Sequence, residues 1–444
     1  EISLGLVGSE MCIRDRIIHG IIIMLIRNCV MQKGEKMRMR IIIQTESNEV
    51  TGSCHLLTIE RYGEKPIKIL VDCGSFQGEN KEQKNKFFGF NPSEIDMVFV
   101  THAHIDHIGR LPQLVQNGFR GPIYSGIKTW RRAQISLGRR NYNVFSQWIP
   151  VEEELLYMTL LPEIEFVFFR NAHTVGSTAL LIMLKNTNEK VLFTGDYIGK
   201  SVFTQTYIPE WVYDLTSTIV AEATYGKDVK KQYGVFEREL GKWMESSDHT
   251  AVIPVYAQER GQTVLLKIAN MQKKRKISAD IPIFLQGESL RDYTQQYVEE
   301  GLLEYPYNTW TVDNNFQISK LPTWKIVLTT PGMGHGGASA MWLEHAKKDK
   351  KIKIFKVGYA NADTPMGRLK KLKLNFCETN EFGSHCTGNE MIEFLSRFRC
   401  IKDLILVHGS SDTRELLKRA IQEKGIADKI WVLLPEQFLW KDLG

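Results

Sequence analysis

The stretch THAHIDHIG, residues 101–109, decides how this chain is read. It sets His102, His104, Asp106 and His107 within six positions, directly behind the apolar run DMVFV (96–100). The chain has only 11 histidines, and three of them fall here. Imidazole nitrogens and carboxylate oxygens are the ligand types of zinc and similar transition ions. Four such side chains on one loop cannot all reach a single ion together with ligands from elsewhere, whereas two neighbouring ions use them well. His102 and His104 can point to one side of the loop, Asp106 and His107 to the other. The competing reading is a solvated polar loop whose histidines cluster by chance.

Outward from that loop, short β-branched runs alternate with amphipathic stretches. The pattern predicts strands at 68–72, 96–101, 191–196, 218–225, 251–257, 325–330 and 403–409, and helices at 262–275, 291–302, 389–398 and 413–424. This is an α/β chain. Acid or imidazole groups follow five of the strands: Asp72, the 102–107 cluster, Asp196, Glu222 and His408. Sites in α/β sheets lie beyond the carboxyl ends of strands, so these residues predict one composite site.

The remaining arithmetic sets bounds. The 444 residues carry 57 Lys+Arg and 51 Asp+Glu, with 43% hydrophobic and 24% charged residues. That excludes a disordered chain, a collagen-like fibre and a disulfide miniprotein, and the length suggests two or three domains. Seven scattered cysteines with no CxxC pair argue against a disulfide framework or a cysteine-zinc module, and for a reducing compartment. The one long apolar run, between Arg16 and Arg27, is shorter than the roughly 20 residues of a membrane span. Residues 3–16 read as translated adapter sequence, which points to a natural start at Met24, Met31 or Met37; residues 1–36 are set aside as an extension. There is no P-loop, so no nucleoside triphosphate is expected.

The HxHxDH run resembles the signature of the metallo-β-lactamase superfamily, and the rest of that pattern follows in order. Asp72 in ILVDCG resembles its first motif, His173 in RNAHTVGS its third, and Asp196 in LFTGDYIG its fourth. Beyond Asp196, Glu222 in EATYG, His385 in FGSHCTGNE and His408 in LILVHGSS resemble motifs A, B and C of the β-CASP nucleases. The segments VTGSCH (50–55), IPVYAQERGQ (253–262), PGMGHGG (331–337) and GYANADTPMGR (358–368) are similar to landmarks of the same group. The chain departs from the usual pattern at Ala223, Cys386, Thr387 and His335.

The resemblance implies a four-layer αββα metallo-β-lactamase sandwich, built from residues 37–225 and 381–444, with a β-CASP α/β domain inserted at 226–380. It implies two zinc ions, one held by His102, His104 and His173, the other by Asp106, His107 and His408, with Asp196 bridging. A hydroxide held between the metals is the implied nucleophile. Catalytic roles fall to Asp106, His385, Glu222 and Asp72: His385 as general acid oriented by Glu222, and Asp72 as a carboxylate that orients histidines. The implied reaction is hydrolysis of single-stranded RNA, leaving 5′-phosphate and 3′-hydroxyl ends. RNA is favoured over DNA because motif C is a histidine.

Basic segments suggest where a strand would lie. Residues 347–373 hold ten Lys/Arg against two Asp, and 126–141 hold five Lys/Arg and no acid. Arg131, Arg132, Arg139, Arg140, Arg260, Arg368, Lys370 and Lys371 are the candidate RNA contacts, with Trp130, Tyr142, Phe145 and Trp148 as stacking surfaces. A solvated basic face is the competing reading. The expected protein is cytoplasmic, with no membrane partner, and open to homodimer formation. Two other functions remain: a small-molecule thioester or lactone hydrolase of the same superfamily, and a non-catalytic scaffold of an RNA-processing complex.

Overall fold

A computed structural model describes residues 39–443, apart from 62, 79, 139, 153–157, 186, 188, 227–231, 314–317 and 362. The extension at 1–36 and Arg139 therefore lie outside the described residues. The strands form three sheets. The first holds β1 (Met39–Thr45), β2 (His55–Arg61), β3 (Ile67–Val71), β4 (Met97–Phe99), β5 (Ile123–Gly126) and β6 (Trp148–Val151), with β20 (Phe438–Leu443) outside β1. The second runs in the order β19 (Ala427–Trp431), β18 (Ile401–Val407), β11 (Thr218–Glu222), β10 (Glu189–Phe193), β9 (Thr178–Leu184), β8 (Ile164–Arg170), β7 (Met158–Leu161). The third runs β14 (Thr309–Val312), β13 (Ile283–Gln286), β15 (Lys325–Thr329), β12 (Thr250–Pro254), β16 (Ile352–Lys356), β17 (Phe376–Glu378), with every neighbour parallel.

The described helices are α1 (Lys81–Lys86), α2 (Ile105–Ile108), α3 (Leu111–Gln116), α4 (Ile127–Ser136), α5 (Tyr142–Phe145), α6 (Glu210–Leu215), α7 (Val235–Met244), α8 (Arg260–Lys273), α9 (Glu288–Glu299), α10 (Gly337–Lys348), α11 (Gly388–Leu395) and α12 (Ser411–Glu423). None is long and apolar enough to cross a membrane.

Side-chain patterning explains the layering. In β1 the odd positions Met39, Ile41 and Ile43 are buried while Arg40 is exposed, the period-two alternation of a strand with one covered face. Those residues meet Leu57, Ile69, Phe99, Phe166, Phe168, Leu180, Phe193, Val220 and Ile405 in a core between the first two sheets. Each such side chain contributes roughly 1.5–3 kcal/mol by leaving water. β9, TALLIML, is buried at every position because both of its faces are covered. Its outward face, with Leu192 and Leu404, packs under Met391, Phe394 and Leu417 of α11 and α12. The outer face of the first sheet packs against Leu111, Leu114 and Ala133 of α3 and α4. The result is the αββα order expected from the sequence. The third sheet carries α7, α8 and α9 on one face and α10 on the other. It lies between β11 and β18, which are themselves parallel neighbours.

One detail answers a departure noted in the sequence. Thr387 caps α11: its hydroxyl accepts from the Glu390 N–H at 3.3 Å, and Glu390 accepts from the Thr387 N–H at 2.7 Å. This is a capping box, so Thr387 starts the helix. The third sheet is also clamped to the sandwich. The Arg132 guanidinium on α4 forks onto Glu300 at 3.0 and 2.8 Å and lies 5.0 Å over the Tyr297 ring. The Tyr297 hydroxyl donates to Glu259, whose same carboxylate oxygen accepts from the Val175 N–H at 3.2 Å.

Candidate metal centre

The strands β3, β4, β10, β11 and β18 end at one edge of the sandwich, and each delivers polar groups there. Backbone strain marks two of the deliveries, at Asp72 with φ 61° and at His408, while Asp196 follows Gly195, whose φ of 58° a glycine adopts without strain. His408 stands at φ 49°, a left-handed conformation unusual outside glycine. The 101–109 loop is pressed against Gly74, where an added Cβ would sit 1.5 Å from the Asp106 carbonyl oxygen. Only glycine allows that approach.

The donor atoms form two groups that hold the residues named from the sequence, and His385 makes a third, overlapping group with Asp196 and His408. His102 Nε2 and His173 Nε2 each lie 3.1 Å from His104 Nδ1, and Asp196 Oδ2 lies 3.7 and 3.4 Å from those two Nε2 atoms. His107 Nε2 lies 3.3 Å from His408 Nε2 and 3.3 Å from Asp196 Oδ1, and Asp106 Oδ2 lies 3.7 Å from His408 Nε2. Donors about 2.0–2.1 Å from a tetrahedral zinc stand roughly 3.3 Å apart, which is the scale of these separations. The two Asp196 oxygens face different groups, and Oδ1 is buried without a hydrogen-bond donor.

Hydrogen bonds fix which nitrogens are bare. His107 Nδ1 faces Asp72 Oδ2 at 2.8 Å, and His173 Nδ1 faces the Ser384 carbonyl at 2.9 Å. Both partners only accept, so both Nδ1 atoms carry the proton and both Nε2 atoms keep a lone pair. The Thr101 hydroxyl gives its hydrogen to Asp72 at 2.8 Å and so accepts from His102 Nδ1 at 3.1 Å. The Thr224 hydroxyl gives its hydrogen to Glu222 and accepts from His408 Nδ1 at 3.0 Å. Four histidines thus turn bare Nε2 atoms inward. Converging lone pairs repel unless a cation lies among them, so these residues fit a metal.

Electrostatics agree for three of the histidines; His107, held charged between two carboxylates, is the exception, and a cation at its Nε2 would take the place of that proton. Burial, with neighbouring imidazoles, holds His102 and His173 well below the ordinary histidine range and His104 at about 4, so all three stay neutral. Burial alone would also lower His107, but Asp196 and Asp72 hold it well above the ordinary value. Burial would raise Asp106, yet His408 and His107 bring it to about 2. His385 stands beside the groups, its Nδ1 3.0 and 3.2 Å from the Glu222 oxygens and 4.0 Å from Asp196. Burial opposes its charge, but Glu222 first and then Asp196 and Asp106 raise it to about 9.

Asp72 reaches His107 and Thr101 and is not among the converging donors. The sequence did not point to Thr101, Thr224 or Ser384, because a hydroxyl or a backbone carbonyl carries no motif of its own. Nor did it single out His55, which lines the same small cavity as His107, Asp196 and His408. Burial, then His107 and His408, push His55 down to about 3.

The candidate RNA contacts scatter. Arg132 is corrected: it is fully buried against Glu300 and Tyr297 and faces no solvent groove. Arg131, Arg140, Arg368, Lys370 and Lys371 are exposed. Arg260 is partly buried, bonded to the Val357 carbonyl at 2.7 Å. The basic run at 347–373 is weaker than its composition suggested, because Lys347, Lys351, Lys353 and Lys356 pair with Glu344, Asp248, Glu239 and Glu378.

Comparison with known proteins agrees with this geometry. Residues 67–224 match the metallo-beta-lactamase superfamily, and residues 371–433 match the Zn-dependent metallo-hydrolase RNA specificity domain. A ribonuclease of Thermus thermophilus is 26% identical over 431 residues, covering 87% of this chain and 97% of its own length. An RNase J-like protein of Methanocaldococcus jannaschii is 25% identical over 388 residues, covering 77% of this chain and 87% of its own. The transcription termination factor FttA of Methanosarcina mazei is 25% identical over 414 residues, covering 83% of this chain but 62% of its own. Two groups of metal donors, a third sheet placed in sequence between β11 and β18, and motifs A to C at one edge make the chain similar to the metallo-β-lactamase superfamily and, within it, to the β-CASP group.

Proposed function

We propose that the protein is a zinc-dependent ribonuclease that hydrolyses phosphodiester bonds of single-stranded RNA in processing or decay, acting in the cytoplasm. The observation that carries this reading is the His385–Glu222 pair set against a split donor group. A proton donor sits next to a site shaped for cations, as cleavage of a phosphodiester requires. We assign one zinc ion to His102, His104 and His173 and a second to Asp106, His107 and His408, with Asp196 shared. Such a pair, when bound, lowers the pKa of a water toward neutrality and neutralises charge on phosphate oxygens.

The chain's own residues do the rest. Asp72 fixes His107 and, through Thr101, His102, so the donor set is pre-arranged before substrate arrives. Glu222 holds the His385 Nδ1 proton, which leaves Nε2 to carry a proton to the departing O3′. We take 226–380 as the inserted domain and read it as the second wall of the substrate groove. Neither a nucleoside triphosphate nor a membrane enters this reaction, and the protein can act as a homodimer.

The test is direct. The purified protein, with zinc content measured by mass spectrometry, is incubated with end-labelled RNA and, in parallel, with a chromogenic lactam and a thioester. Zinc near two per chain and RNA cleavage that leaves 5′-phosphates support the reading. Turnover of the small esters alone, or a metal-free protein that binds RNA uncut, overturns it.

A further inference from the structure

The α3 and α5 helices leave a cleft between them on the outer face of the first sheet. Its volume is about 670 Å³, and its lining includes Gln116, Arg120, Arg140, Tyr142 and Gln147. None of the lining residues is acidic. Two guanidinium groups without a carboxylate make it a place where negative charge is favoured.

Its other groups narrow the ligand. Tyr142 is 75% exposed, a large aromatic face left in water with no ring partner among the described residues. Val115 and Val144 supply an apolar floor. Arg120 is held in place by bonds to the Val115 and Phe119 carbonyls at 2.8 and 2.7 Å. The Gln147 side chain donates to the Asn143 carbonyl at 3.2 Å, while its Oε1 is buried and accepts from nothing. Cation and aromatic face match the phosphate and ring of one nucleotide.

We propose that the α3–α5 cleft is an ancillary binding site for one nucleotide unit of a single-stranded RNA, held by Arg140 and Arg120 at the phosphate and by Tyr142 at the base. This rests on the ribonuclease reading above. None of the donor residues lines the cleft. It therefore engages RNA outside the bond being cut, and strands long enough to span both sites gain affinity.

The experiment uses the zinc-loaded full chain and a fluorescent phosphorothioate oligouridylate of roughly 15 nucleotides. Arg140→Ala and Tyr142→Ala alter exposed side chains, so melting temperatures should stay unchanged. Tyr142→Ala should weaken binding about tenfold with an unchanged salt slope. Arg140→Ala should weaken binding and reduce the slope of log K against log salt by about 0.7. On cleavable RNA both variants should raise KM for long substrates and leave kcat alone. Wild-type affinity and slope in both variants overturn the proposal. Displacement of the oligonucleotide by adenosine monophosphate at equal concentration also overturns it, in favour of a free-nucleotide site. Wild-type protein that binds RNA with these sensitivities but cuts none leaves the cleft standing and sinks only the nuclease reading. Cutting without any variant effect does the reverse.

Discussion

A threonine hydroxyl has a single hydrogen to give, and at two positions that fact sets the state of a histidine. Thr101 spends its hydrogen on Asp72 and Thr224 spends its own on Glu222, so each must accept from an imidazole. Thr224→Val should therefore lose activity about 10–100-fold and release zinc more readily, as loss of such an orienting partner does. Thr224→Ser should restore both, checked by turnover and by zinc retention on a desalting column. The general acid gives a second prediction. His385→Ala and Glu222→Gln should each lower kcat about 10²–10⁴-fold while zinc stays near two per chain, because neither is assigned as a ligand. The donor residues were legible in the sequence, since metal chemistry restricts them to histidine and aspartate at tight spacing. The threonines were not, since hydroxyls occur everywhere and only the fold says where they point. The usual hydroxyl after the motif A acid is missing at Ala223, and Thr224 supplies one a residue later.

At the level of elements, the strands stop short of the polar residues expected at their ends. β10 ends at Phe193 rather than 196, and β18 at Val407 rather than 409. The apolar run continues only while side chains alternate into the core; the site residues then leave the ladder, as the positive φ at Asp72 and His408 shows. The α4–α9 clamp was misread from sequence because RR at 131–132 gives no hint which arginine turns inward. Arg132→Ala leaves Glu300 without its partner and should cost about 3 kcal/mol, measured by chemical denaturation. Below that clamp lies Glu259, a carboxyl that burial raises to about 7, against the bonds from Tyr297 and Val175 that favour its charge. A raised folded pKa means its contribution to stability is complete below about 4.5 and is lost as pH rises through 7. Glu259→Gln mimics the protonated group, and its carbonyl can accept both existing bonds. The variant should melt with the wild type at pH 5 and above it at pH 8, by scanning calorimetry; equal melting at pH 8 refutes the shift.

Across the whole molecule, the donors follow four strands, β4, β8, β10 and β18, and are spread between His102 and His408. A cation that binds only this assembled arrangement stabilises the folded state in proportion to its affinity. Chelation should therefore lower the melting temperature as well as abolish activity, and zinc should restore both; a melting temperature indifferent to chelator refutes a structural share for the metal. The assembly also has an order in time. β11 pairs with β18 in a register that joins Thr218 to Asp403, and the third sheet is made in between. A ribosome synthesising this chain has produced His102, His104, Asp106, His107, His173 and Asp196 long before His408 emerges. Until β18 docks, one donor group lacks a member and the Thr224 hydroxyl lacks its imidazole. On the ribonuclease reading proposed above, the unfinished polypeptide therefore lacks a complete donor set until β18 has been made.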